Sequence, residues 1–175
     1  MQIKTIVVLF IFLASIHSYA NDVTPLGQTI GKSTIDDLKN SKCPVVGQGI
    51  NKFSNGQMFA NDGSCYGIQG LKKVLFVYNP SGVLEGALLT FNNSQFQSVV
   101  SSLNQKYSHK TKEQIPFVGD KHIVWEEGKV DIELKSPHMS FDMDLLYVTK
   151  ALNKKFKQEV KNDEQQQKTQ QTNQL

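Results

Sequence analysis

A chain of 175 residues with 39% apolar and 20% charged side chains has enough hydrocarbon for one packed unit, or for two small halves sharing a core, and wholesale disorder is excluded. The formal charge of +3 is unevenly spread: residues 21–149 carry 12 Lys against 13 acids, whereas 150–175 carry 6 Lys against 3. All 19 basic residues are Lys. Without arginine's planar fork for guanine edges and phosphates, no nucleic-acid partner is expected.

The chain opens with a secretory pattern. Lys4 supplies the positive region, Ile6 to Ser15 the apolar run, and Ser18-Tyr19-Ala20 a small-residue cleavage site. The apolar run is about ten residues, and a membrane span needs roughly 20. A signal peptide over 1–20 is therefore expected, and no Cys stands near the cleavage site to take a lipid. The expected product is a soluble periplasmic or secreted protein, with no stable membrane anchor after cleavage.

Ser33 and Asp36 then form a capping-box pattern, and Asp36 and Asp37 suit a helix N-terminus, so a short helix is predicted up to about Asn40. Residues 45–70 are punctuated by Gly47, Gly49, Gly56, Gly63, Gly67 and Gly70, which reads as short strands separated by turns. Cys43 and Cys65, 22 residues apart in an exported chain, are predicted to form a disulfide. Closing that loop is worth about 3 kcal/mol through the unfolded state. A metal pair or reactive thiol is the rival reading, but neither C-x-x-C spacing nor a nearby His accompanies them.

Lys73 to Tyr78 and Val83 to Phe91 flank Asn79-Pro80-Ser81-Gly82, a type I turn signature. Both strands are apolar on both faces, which places them in mid-sheet. Phe96, Val99, Val100, Leu103 and Tyr107 trace a helical stripe, opened by a Ser94/Gln97 capping box. Ser108 to Asp120 reads as a polar connector, and Phe117 and Trp125 as core residues. Three strands follow over Lys121 to Glu126, Lys129 to Lys135 and Ser140 to Val148, with turns at Glu127-Gly128 and Ser136 to Met139. Val130, Ile132 and Leu134 face inward, as do Phe141, Met143, Leu145 and Tyr147. Thr149 caps a last helix bearing Leu152 and Phe156. From Gln158 to the end the chain is Gln-rich without periodicity and is expected to be disordered.

The element order predicts an α+β fold: an antiparallel sheet with helices packed on one face. A single domain over 21–157 is expected, with halves of about 27–91 and 92–157 compatible with a tandem repeat of helix plus meander. Gly31-x-Ser33-x-x-Asp36-x-Leu38, followed by glycine-punctuated strands, resembles the repeat of the outer-membrane assembly lipoproteins SmpA/OmlA and of the β-lactamase inhibitor protein. The resemblance implies a non-catalytic envelope protein that binds another protein. It carries no site residue over.

The hairpin around Ser136 to Met139 sets Glu133 opposite Asp142 and Asp131 opposite Asp144, and the preceding turn sets His122 beside Glu133. An outer face presenting His122 amid Asp131, Glu133, Asp142 and Asp144 admits several readings. It is a solvated sheet face, a dock for a basic partner, a divalent-cation site, or a His-carboxylate base. A flat face rarely supplies the six to eight oxygens of calcium or a water-excluding pocket. His138-Met139 with Met143 could suggest copper, but Met143 points inward by parity. No phosphate-loop, dinucleotide or G-x-S-x-G fingerprint is present. Phe53, Met58 and Phe59, in the loop that the disulfide would stiffen, are a second recognition candidate or else cover one end of the core. The expectation is an envelope or secreted protein-binding or inhibitory module without cofactor or metal. The competing class is a small secreted hydrolase or metal-dependent enzyme using His122 with Glu133.

Overall fold

The computed structural model describes residues 22–174. The signal peptide expected over 1–20 lies outside the described residues. Glycine and proline breaks between aromatic and β-branched runs divide the chain into α1 (Ile35–Lys39), β1 (Val46–Ile50), β2 (Gln57–Asn61), β3 (Leu71–Tyr78) and β4 (Leu84–Asn92). The second part contributes α2 (Phe96–Lys106), β5 (Lys110–Gln114), β6 (Lys121–Glu127), β7 (Val130–Ser136), β8 (Asp142–Thr149) and α3 (Lys150–Gln174). The strands form one antiparallel sheet in the order β1-β2-β3-β4-β8-β7-β6-β5. Each half is a helix followed by a four-strand meander. The two meanders meet last strand to last strand, from Gly86↔Val148 to Asn92↔Asp142.

One face of the sheet carries the main core, where Phe76, Tyr78, Ile123, Trp125, Ile132 and Leu134 are buried. The Phe96, Val100 and Leu103 stripe of α2 closes this face, and Trp125 Nε1 donates to Asn104 Oδ1 at 3.0 Å. Leu38 of α1 joins the same cluster. The α+β class and the antiparallel sheet are as expected, and α1 and α2 share a face. The expectation of helices on one face does not extend to α3, whose first turns lie on the opposite side. Leu152 sits there near Gly86, and Asn153 reaches Asp131 and Glu133. The reason is in the strands: Leu75, Val77, Leu88, Leu146 and Val148 make the second face apolar too, and such a strip needs cover.

Local chemistry departs from the sequence reading at several points. The capping box is built by Thr34 and Asp37, one residue later than expected, while Ser33 Oγ accepts from the Thr29 amide. An Asn92-capped 3₁₀ turn leads into α2 in place of the Ser94/Gln97 box. The β6–β7 turn is Gly128-Lys129, with Gly128 at φ 55°, a value that favours glycine. The supposed connector contains β5, a polar edge strand that no alternation announced. The Gln-rich stretch from 158, expected to be disordered, continues α3 to Gln174. Gln, Lys and Glu are good helix formers, and no Gly or Pro interrupts the stretch.

Candidate functional site

The β7–β8 pairing decides what the second face displays. Glu133 lies opposite Leu146, Asp131 opposite Val148, and Lys135 opposite Asp144. The expected pairs Glu133–Asp142 and Asp131–Asp144 are therefore incorrect by a shift of four residues. The loop runs from Pro137 to Phe141, longer than the assumed turn. An even shift preserves which side chains face inward, except that Phe141 falls into the loop and is 86% exposed. Two like-charged cross-strand pairs, each costing about 0.2–1 kcal/mol, give way to one Lys–Asp pair and to apolar partners.

Glu133 is not displayed at all, being 2% exposed beneath α3. Its carboxylate accepts from Asn153 Nδ2 and Lys157 Nζ, each at 3.0 Å, and pairs with Lys135 Nζ at 3.1 Å. Burial pushes the carboxyl upward, but the Asn153 and Lys157 donors and the Lys135 ammonium outweigh it and hold its pKa at about 2. Asp131 accepts from the same Asn153 amide at 2.7 Å. Asp142 pairs with Lys72, and Asp144 accepts from Thr90 Oγ1 at 2.8 Å. The acidic face read from the sequence thus loses Glu133 to the interior, and all four carboxylates have partners within the protein, with Asp142 and Asp144 remaining at the surface.

His122 does come beside Glu133, although across the strands it faces Lys135 and Glu133 faces Val124. Its Nε2 stands 3.4 Å from Glu133 Oε2, and its Nδ1 accepts from Lys112 Nζ at 2.9 Å. Burial, then the Lys112 and Lys135 ammonium groups, push the imidazole below its ordinary range, and the Glu133 charge only partly offsets them. The ring is therefore neutral at pH 7. With Nδ1 accepting from Lys112, the proton resides on Nε2, which is buried near the Glu133 carboxylate but makes no hydrogen bond. A general base needs a lone pair within reach of substrate, and this arrangement offers none.

In the first hairpin, Cys43 and Cys65 are bonded, with Cα atoms 5.5 Å apart. The three apolar candidates of its loop separate. Phe59 is a core residue packed edge-on against Tyr78 at 5.9 Å, so it is removed from the candidate surface. Phe53 packs edge-on against Phe156 of α3 at 5.0 Å, and Met58 Sδ accepts from Asn51 Nδ2 at 3.5 Å. Phe53, Phe156 and Leu152 overhang a groove of about 310 Å³ whose floor includes Leu75, Val77 and Leu146.

The sequence reading passed over two further features. Strand β1 is exposed along its whole length, with Val46 at 67% and Ile50 at 63%. Its sequence, Val46-Gly47-Gln48-Gly49-Ile50, carries no charge, whereas the opposite edge β5 carries Lys110, Lys112 and Glu113. That contrast was available as a signal in the sequence, once β5 had been recognised as a strand. The other feature is the pair of apolar loop tips around Phe117 and Met139; Phe117, expected in the core, is instead fully exposed because it falls in the loop between β5 and β6 rather than on a strand. Among the described residues, no group of three or more His, Cys, Asp and Glu is placed to hold a metal ion, and no helix is long and apolar enough to cross a membrane.

No protein-family profile and no curated protein matches the chain. Among solved structures, the chain is similar to a DUF4309 family protein, YjgB, from Bacillus subtilis. The two share 12% identity with a TM-score of 0.37, over 74% of this chain and 88% of that one.

Proposed function

We propose that this protein is an exported, periplasmic or secreted, protein-binding or inhibitory module that captures an extended segment of a partner chain along β1. The observation that carries the proposal is the uncharged, exposed edge of a sheet whose other edge is guarded by charge. An open edge offers unpaired backbone donors and acceptors, and natural sheets blunt such edges with Lys and short strands. Strand addition uses those groups for affinity and the flanking side chains, here Val46 and Ile50, for selectivity. The register irregularity between Gly47 and Ile50 limits the number of ladder bonds on offer, so the contact is a short one. The Cys43–Cys65 bond, just ahead of the strand, lowers the ordering cost of binding and suits an oxidising compartment. The sequence resemblance to exported protein-binding modules points the same way.

The test is photo-crosslinking from position 48 in the native envelope, with wild type beside the double variant V46K/I50K. The expected result is one discrete protein adduct that the lysines abolish while the circular dichroism stays unchanged. An adduct that survives the lysines, or no adduct at all, refutes strand capture.

A further inference from the structure

Between the loop of the first hairpin and the Asn79–Gly82 turn lies a cavity of about 360 Å³, on the face of the sheet that carries α1. Ile35, Ile50 and Pro80 give it apolar walls, and Gln57, Asn79 and Ser81 rim it with amide and hydroxyl groups. Among the described residues, no charged side chain lines it. At roughly 30 Å³ per non-hydrogen atom it has room for about a dozen, enough for any aromatic side chain.

The walls are held before anything binds. The Asn79 amide donates to the Val83 carbonyl and the Gly82 amide to the Asn79 carbonyl, each at 2.9 Å, while Asn79 Oδ1 accepts from the Val83 amide at 3.0 Å. Opposite, Asn51 Oδ1 accepts from the Phe53 and Ser54 amides, and the Asn55 amide donates to the Asn51 carbonyl at 2.8 Å. The Ile35 amide donates to the Gly82 carbonyl at 3.1 Å and fixes the third wall. A group seated there has little left to order.

The irregularity in β1 aims a captured segment at this cavity. Between Val46↔Ala60 and Ile50↔Gln57, β1 advances one residue more than β2, so Val46 and Ile50 face opposite sides of the sheet. Ile50 takes the side of Phe59, which alternates in phase with Gln57 and is buried in the main core. A residue set opposite Ile50 by an added strand projects to that same side. Neighbouring strands lie about 4.8 Å apart, so a short side chain stops at Ile50, and a long one reaches across it into the cavity.

We infer that the segment captured by β1 carries a Tyr or Trp opposite Ile50 and that this cavity takes its ring. This anchor rests on strand capture at β1. A ring with a polar edge matches apolar walls rimmed by amides and a hydroxyl. A Lys, Arg, Asp or Glu would lose water there without meeting a counter-charge. Tyr and Trp are also the side chains that dominate binding energy when seated in a pocket.

Three measurements test the anchor. The segment crosslinked from position 48 in the native envelope, sequenced by mass spectrometry, is expected to hold a Tyr or Trp within about three residues of the attachment point. Ser81→Trp, at an exposed turn position, fills the cavity from within and is expected to lower the position-48 yield on the order of tenfold or more, with circular dichroism unchanged. With purified, isotope-labelled protein, millimolar N-acetyl-tyrosinamide is expected to shift the amide resonances of Gln57, Ser81 and Gly82, and N-acetyl-alaninamide to leave them in place. A captured segment without Tyr or Trp, an undiminished yield from a folded S81W, or no shift with the tyrosine amide overturns the anchor and leaves strand capture standing. Absence of any position-48 adduct from wild type overturns both.

Discussion

Glu133 carries the largest single electrostatic contribution that can be argued at the residue scale. Its folded pKa of about 2 lies below the ordinary 4.5, so its stabilisation is complete above about pH 4.5 and is lost as the pH falls towards 2. A shift of that size corresponds to on the order of 3 kcal/mol. His122 acts in the same direction, because its folded pKa is lowered: protonation below pH 6.5 costs the native state stability. Denaturant titrations should therefore show midpoints falling from pH 7 to pH 3. Glu133→Gln, which keeps one acceptor oxygen but removes the charge that Lys157 and Lys135 pair with, is expected to cost about 1–3 kcal/mol at pH 7, and less as the pH approaches 2. An E133Q midpoint equal to wild type at pH 7 would mean that the buried carboxylate contributes nothing.

At the scale of elements, the first hairpin depends on a close approach and on a covalent tie. A Cβ on Gly56 would lie 1.9 Å from the Tyr78 carbonyl oxygen, so Gly56→Ala must displace the hairpin loop from the end of β3. It should lower stability by more than about 2 kcal/mol, whereas Gly47→Ala, whose Cβ meets nothing, should change it by less than about 1 kcal/mol. Reducing the Cys43–Cys65 bond should cost about 3 kcal/mol in urea unfolding, since it closes a loop of 22 residues. Helix α3 divides along its length. Its first three turns bring Leu152, Asn153, Phe156 and Lys157 onto the sheet, whereas beyond them, among the described residues, a surface pair, Lys52–Asp163 at 3.8 Å, is the ion pair that reaches back. Exposed pairs of that kind are worth about 0–1 kcal/mol. Truncation after Asn162 should thus leave thermal stability nearly unchanged, and truncation after Thr149 should expose the apolar strip and favour aggregation.

For the whole molecule, the decisive contact is β4 against β8, where the two meanders become one sheet. Leu89 pairs with Leu145 at that seam, and both are buried. Neither half can close its core without the other, so unfolding followed by Trp125 emission and by far-ultraviolet circular dichroism should trace a single coincident transition. Leu89→Ala, a cavity at the seam, should lower stability by about 2–5 kcal/mol while keeping the two probes superimposed. Separate transitions would show that the halves fold independently.

Much of this architecture was legible in residue order. The stripes of α2, the inward parity of β6 to β8, the mid-sheet character of β3 and β4, and the cysteine pairing follow from periodicities and spacings that local sterics and burial impose. What escaped was set by contacts distant in the chain. Loop length at 137–141 decided the register and so separated the expected acidic pairs, because period-two alternation is blind to an even slip. The apolar underside of the sheet drew α3 across it and buried Glu133, and an edge strand such as β5 leaves no alternation to read. Local patterns fix which side of an element is apolar; only the assembled sheet determines which polar groups find partners and which edges and loop tips are left facing water.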